Sequence, residues 1–364
     1  MKNVVALLFA FQWVTAVTAA VGTWDWTLVD ADRGGREIAV TAHYPAAWAG
    51  AESDPLPGPY PTVVFGHGFV MAGSDYGSVI DAWVAQDFVV IAVNTEGGLA
   101  PDHEAFGLDL AYVAASAAAD LTPLSGVLDD RVAVGGHSMG GGAAWLAAAV
   151  GGQADAVFGL APAETNPSAI AAASSVQIPA LVLSGTEDSV TPAADHHTPI
   201  YAGTASACKA FVTLDAGSHC GYADGGSLCD LGELLFSGMS RQRQQEITAQ
   251  LVGAWLAHWL HGTPWSAFEQ ASAADFSIAT ECSVGVADVP VVGPVAHPIP
   301  CRDQTVVKGL TPGVSFEVVD LQGRSVATGL TADPLHLETV HWPVGWVVLC
   351  VADGTTVRLV KESE

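Results

Sequence analysis

The sequence predicts an α/β fold: a mostly parallel sheet with helices on both faces, followed by a small C-terminal β-sandwich. Three observations predict it. Short, uninterrupted apolar runs recur from residue 62 onward, as expected of strands buried on both faces. Ala-rich or amphipathic stretches of helix length lie between most of them. After Pro264 this rhythm stops, and short β runs with turn signals take over.

Taken in order, residues 24–29 and 36–44 read as two antiparallel strands around Asp32-Arg33-Gly34-Gly35. The apolar runs are 62–65, 88–93, 132–135, 156–160, 180–184 and 211–214, and the helical stretches include 76–85, 104–119 and 140–149. Residues 240–261 close the region as a long helix, with Ile247, Leu251, Trp255 and His258 roughly at helical spacing. Residues 266–296, rich in Ala, Val and Pro, read as a linker. Runs at 314–320, 325–327, 344–351 and 355–360, with turns at Gly323 and Asp353-Gly354, make the C-terminal β-sandwich over 297–364. The main α/β domain then occupies 21–265. No internal repeat is visible.

Composition narrows the function. Of 364 residues, 50% are hydrophobic and 14% charged, which excludes a mostly disordered chain. Twelve Lys+Arg against 38 Asp+Glu give a net charge of −26. Such a surface repels nucleic acid and anionic lipid and favours neutral substrates. Residues 1–20, MKNVVALLFAFQWVTAVTAA, combine Lys2, an apolar run and the small residues Ala19 and Ala20. They read as a secretory signal peptide, and the run is short for a bilayer span. A secreted or cell-surface protein, monomeric, is expected. Export permits disulfides among Cys208, Cys220, Cys229, Cys282, Cys301 and Cys350. Cys220 and Cys229, enclosing a short Gly-rich loop, are the first candidate pair. No tight Cys-x-x-Cys, His-Glu-x-x-His, phosphate loop or dinucleotide fingerprint is present, so neither metal nor cofactor is expected. Asp102-His103-Glu104 and Asp195-His196-His197 read as surface residues, because adjacent side chains point apart.

The chemical signal is Gly136-His137-Ser138-Met139-Gly140, between the strand 132–135 and a Gly/Ala-rich helix. This is Gly-x-Ser-x-Gly in a strand–turn–helix context. A nucleophile on so tight a turn leaves no room for side chains two before and two after it. Ser138 needs a base, and the base an orienting carboxylate, in the order Ser, acid, His. Asp188, with Glu187 as its rival, follows the strand 180–184. His219 follows the strand 211–214. Both emerge where open α/β sheets place functional groups. The N–H groups of Met139 and of Phe69, in Phe65-Gly66-His67-Gly68-Phe69, are the candidate oxyanion donors. His67 is expected to shape that loop.

These segments carry a resemblance. Residues 21 to about 263 resemble the α/β-hydrolase superfamily. Gly136-His137-Ser138-Met139-Gly140-Gly141-Gly142, Gly68-Phe69, Glu187-Asp188-Ser189-Val190-Thr191-Pro192 and Gly217-Ser218-His219 are similar to the nucleophile, oxyanion, acid and base segments of bacterial cutinases and polyethylene terephthalate hydrolases. Dienelactone-hydrolase-like and chlorophyllase-like esterases share the pattern. The resemblance selects Asp188 over Glu187. It implies a Ser138–His219–Asp188 hydrolase of carboxylic esters, small or polymeric, without a cofactor. Those polyesterases carry a Trp where this chain has Ala161-Pro162-Ala163-Glu164, so Glu164 joins Phe69 as a candidate substrate-binding residue. A small-ester or lipid esterase is the alternative, and a non-catalytic surface-binding protein a remote one. Residues 297–364 resemble the C-terminal sorting domain of type IX secretion, through His297-Pro298-Ile299-Pro300, Asp320-Leu321-Gln322-Gly323-Arg324 and Gly345-Trp346-Val347-Val348-Leu349. That resemblance implies the secretion machinery as a partner.

Overall fold

Apolar strands and their covering helices assemble in the alternation expected of a βαβ chain. The computed structural model describes residues 20–282, apart from 120, 152, 226–228 and 233–237. It also describes 295–297, 304–308, 310–320, 324–332, 335–342, 345–352 and 356–361. The signal-peptide reading therefore lies outside the described residues but for Ala20, as do 298–300 and 321–323 of the sorting motifs.

Strands β1 (Ala20–Asp30) and β2 (Arg36–Ala46) form the expected antiparallel pair, with Trp26 opposite Val40. A two-residue strand β3 (Gly50–Ala51) borders β1. The parallel core consists of β4 (Tyr60–Gly66), β5 (Val89–Val93), β6 (Leu128–His137), β7 (Ala156–Leu160), β8 (Ala180–Gly185) and β9 (Cys208–Leu214). The sheet order is β10-β9-β8-β7-β6-β4-β5-β2-β1-β3. β10 (Phe276–Cys282) corrects the expectation of a linker across 266–296. Its alternating, largely exposed residues suit a sheet edge.

Every residue of β5, β7 and β8 is buried, which is why these strands read as continuous apolar runs. Helices α1 (Gly77–Val84), α2 (His103–Ala118), α3 (Met139–Ala149), α4 (Ala169–Ala173) and α5 (His197–Gly203) connect the strands. The helix Arg241–Leu256 follows β9. Val64, Ile91, Val134 and Val157 share one core with Phe106, Leu110 and Trp145. Each fully buried side chain of this kind contributes about 1.5–3 kcal/mol of transfer free energy. α2 starts cleanly because the Asp102 side chain accepts from Ala105 N at 3.0 Å. Buried Asp109, on the same helix, receives Arg33 and Arg36 at 2.7 Å each and the Thr95 hydroxyl at 2.6 Å. This pairing ties the β1–β2 turn and the loop after β5 to α2.

The described residues divide into two compact units. One runs to Gly253 and includes Ser272–Glu281; the other comprises Ala254–Ala271 and the chain from Cys282. The second unit contains two small antiparallel sheets. The first is β11 (Val295–His297), β12 (Gln304–Lys308) and β15 (Leu335–Glu338). The second is ordered β14 (Ser325–Leu330), β13 (Ser315–Asp320), β16 (Gly345–Val351), β17 (Thr356–Lys361). Val307, Phe316, Val318, Leu337, Trp342 and Leu349 form their core.

Candidate active site

The C-terminal ends of the parallel strands carry an unusual density of strained backbone. Val70, Glu96, Ser138, Ala161 and Ala216 all have positive φ, and each sits in the loop beyond a different strand. Non-glycine residues hold such conformations only where the surroundings impose them. Ser138 is the sharpest case, at φ 54° and ψ −117° between β6 and α3. A Cβ on Gly136 would lie 2.5 Å from Gly140 O, and one on Gly140 would lie 2.2 Å from Gly66 O. Both obstacles are backbone, which cannot rotate aside. Gly140→Ala is therefore expected to destabilise the chain by about 2–4 kcal/mol, measured as a lower Tm; an unchanged Tm would contradict this packing.

This turn brings three distant side chains together. His219 Nε2 lies 2.9 Å from Ser138 Oγ, and His219 Nδ1 lies 2.8 Å from Asp188 Oδ2. An ionised carboxylate only accepts, so Nδ1 carries the proton and Nε2 accepts from the serine hydroxyl. Val190 N and Thr191 N donate to Asp188 Oδ1 at 3.0 and 2.8 Å, and the Thr191 hydroxyl reaches Oδ2 at 3.0 Å. Burial alone would raise the Asp188 carboxyl, but bonding and charge from His219, with the Thr191 N–H, hold it below its ordinary value. Glu187, the rival acid, is exposed, and its N–H donates to Gly217 O at 2.9 Å.

Two depressions meet at Ser138. One, of about 260 Å³, is lined by Phe69, Val70, Met71, Leu99 and Val190, with His219 and Cys229 at its wall. The other, of about 410 Å³, is lined by Phe69, Pro101, His103, Ala163 and Glu164 beside Met139. Phe69 and Glu164 thus both border the serine. Glu164 also braces its own loop, since its Oε2 accepts from Ile170 N at 2.9 Å and its N–H donates to His196 Nδ1 at 2.9 Å. Met139 opens α3, where N–H groups lack intrahelical partners and the dipole is positive. Phe69 sits in a turn closed by Met71 N donating to Gly68 O at 3.2 Å. Among the described residues no group of three His, Cys, Asp or Glu is placed to hold a metal ion. Cys220 and Cys229 form a disulfide directly after His219, and Cys208 and Cys282 are also disulfide-bonded.

Sequence reasoning missed several polar neighbours. His137 is buried with Nε2 2.9 Å from His219 O and Nδ1 2.8 Å from the Tyr76 hydroxyl, which accepts from Gly68 N at 2.9 Å. Because a carbonyl only accepts, His137 donates from Nε2 and takes the tyrosine proton at Nδ1. One chain of bonds thus joins the Phe69 loop to the backbone of His219. His67 shapes the same loop, its ring nitrogens lying 2.8 Å from Gly68 O and 2.9 Å from Thr95 O. The surface reading of His197 is overturned: the residue is fully buried, between Ser184 and Thr191. Adjacent side chains do diverge here, His196 toward Glu164 and His197 into the interior.

Burial lowers the pKa of His43, His67 and His137, and takes His197 down to about 4, from an ordinary 6.5. Between those values the unfolded chain takes up protons that the fold refuses. Stability is therefore fully present above pH 6.5 and is lost as the pH falls, at up to about 1.4 kcal/mol per pH unit for each histidine. Among the described residues, the carboxyls raised chiefly by burial, Asp129 foremost at about 6 with Asp81 and Asp155, act in the opposite sense but are fewer than the four histidines. Tm is expected to be lower at pH 5.5 than at pH 7.5; a higher value on acidification would contradict this account.

A serine on a strained strand-to-helix turn at the C-terminal edge of such a sheet, followed by Asp and then His, is the arrangement of the α/β hydrolases. The chain belongs to the PET hydrolase-like family, whose model, PETase, matches residues 39–246, more than half of its length. Cutinase 1 of Thermobifida cellulosilytica is 33% identical over 145 residues, 38% of this chain and 54% of that protein. A cutinase of Thermobifida fusca (strain YX) is 33% identical over 145 residues, 38% of this chain and 47% of its own. The chain spans about half the length of the curated relatives it matches.

Proposed function

We propose that the protein is a secreted serine carboxylic-ester hydrolase acting on polyesters of the cutin or polyethylene terephthalate type. The observation that carries this is the continuous hydrogen-bonded line Ser138 Oγ–His219–Asp188 at the floor of an apolar pocket. In this reading the Ser138 oxygen attacks the ester carbonyl while His219 Nε2 takes its proton, and Asp188 holds the imidazole and stabilises its charged form. The N–H groups of Met139 and Phe69 receive the oxyanion. His219 then protonates the departing alcohol, and water, activated the same way, releases the acid. Exposed Phe69, Leu99 and Val190 at the pocket suit an apolar substrate presented on a surface. Disulfides favour an oxidising compartment, and the two small C-terminal sheets are compatible with a sorting module.

A second reading, a small-ester or lipid esterase, draws on Ala163 and Glu164, which leave the second depression without a tryptophan. The test is a p-nitrophenyl ester series from acetate to dodecanoate, beside acid release from polyester film. Turnover of both supports the polyester reading. Ester turnover without film hydrolysis selects the second. Inactivity on both, with no covalent labelling by a fluorophosphonate, overturns the hydrolase reading.

A further inference from the structure

Asp188 meets a second polar layer that its role as the acid does not require. Ser184 is the penultimate residue of β8, Thr191 lies in the loop beyond, and His197 opens α5; all three are buried. His197 Nδ1 lies 2.8 Å from Ser184 Oγ, and Nε2 lies 3.0 Å from Thr191 Oγ1. The Thr191 oxygen is in turn 3.0 Å from Asp188 Oδ2, 2.9 Å from His219 Nδ1 and 3.5 Å from Ala161 O.

Ala161 O is a further acceptor within reach of both the Thr191 hydroxyl, at 3.5 Å, and the His197 ring, but it is neutral, so the charged carboxylate decides the direction of these bonds. Thr191 has one hydroxyl proton, and the His219 Nδ1 proton is already directed to Asp188. If Thr191 donated to His197, the carboxylate would lose a donor. If His197 donates from Nε2 to Thr191, the threonine proton is free for Asp188, and Ser184 donates to His197 Nδ1. Bonds to an ionised acceptor are about twice as strong as neutral ones, so the second arrangement prevails. Burial keeps His197 neutral, as this requires.

Resting on the reading of Ser138, His219 and Asp188 as the reacting line, the geometry points to His197 as a positioning residue: through the Thr191 hydroxyl it supplies a further hydrogen bond to Asp188 and fixes the carboxylate against His219. His197 Nε2 itself stands 3.7 Å from Asp188 Oδ2, beyond hydrogen-bond reach, and the ring does not contact the Ser138 hydroxyl or His219 Nε2. The line therefore continues into the interior as Ser184–His197–Thr191–Asp188.

The test compares His197→Leu, His197→Gln, Thr191→Val and Thr191→Ser in the full chain. With p-nitrophenyl butyrate, His197→Leu is expected to lower kcat about tenfold, with KM changed less than about twofold. Glutamine restores a donor near the Nε2 position, so His197→Gln is expected within about threefold of the parent. Thr191→Val behaves like His197→Leu and Thr191→Ser like the parent; the Leu/Val double variant is no worse than Thr191→Val alone, because both act through one path. The low-field NMR resonance of the His219 Nδ1 proton, read without substrate, shifts in the Leu and Val variants and holds in Gln and Ser. A folded His197→Leu protein with the parent's kcat and resonance overturns the proposal, as does His197→Gln as impaired as His197→Leu. If His197→Leu does not fold, His197→Met, which likewise lacks a donor at the Nε2 position, takes its place under the same criteria. A parent chain without ester turnover or fluorophosphonate labelling sinks the hydrolase reading, while the resonance still reports on His197.

Discussion

Ser138→Ala is expected to reduce kcat on p-nitrophenyl butyrate by about 10⁴- to 10⁶-fold, the scale on which loss of a nucleophile is felt in this class of site. The Ser138 oxygen stands 2.9 Å from His219 Nε2, and alanine leaves that nitrogen without a partner to deprotonate. Residual turnover would come from the oxyanion donors and the pocket alone. Alanine keeps a Cβ of the same size, so the φ of 54° is no more strained than before and Tm is expected within about 2 °C of the parent. Steady-state kinetics on the purified variant, with fluorophosphonate labelling as a second readout, checks this. Retention of a tenth of the parent's activity would show that another group attacks.

Asp188→Asn is expected to cost about 10⁴-fold in kcat, for a reason visible in the donors around the side chain. Val190 N and Thr191 N both point at Oδ1, so an asparagine places its oxygen there. Its NH₂ then faces His219 Nδ1, which must accept, and the ring proton moves to Nε2, facing Ser138. That tautomer cannot take the serine proton. Glu187→Gln, by contrast, alters an exposed side chain and is expected to change kcat less than about twofold. Equal effects of the two substitutions would reopen the choice of acid.

The parallel core and the Ser138 turn are legible in the sequence because their physical demands are local. A strand buried on both faces must be apolar throughout, as 156–160 and 180–184 are, and a tight nucleophile turn must have hydrogen as side chain at 136 and 140. β10 is not legible: an edge strand with one neighbour needs no apolar run, and Ser277, Thr280 and Glu281 read as linker. His197 and Thr191 are hidden for another reason. Thr191 lies only three residues beyond Asp188 in the same loop, but the stacking of β8, α5 and the loop after β9 is what brings Ser184, His197 and His219 onto that pair. The one local signal is a second histidine beside His196, and side-chain divergence reads as exposure of both. Tyr76 gives no signal, since a tyrosine at a helix start is ordinary core until His137 is seen beneath it.

The bonds running from Gly68 N through the Tyr76 hydroxyl and His137 to His219 O cross from one bank of the reaction cleft to the other. The loop bearing Phe69 and the backbone bearing the base are thereby spaced by a single strut of fixed length. A guest cannot widen this gap by swinging either bank outward unless it first snaps the strut. If the protein hydrolyses esters as proposed, accommodation of thick or rigid substrates accordingly falls to the open flank at Ala163 and Glu164, and it is there that enlarging or trimming side chains would retune the gauge of what enters.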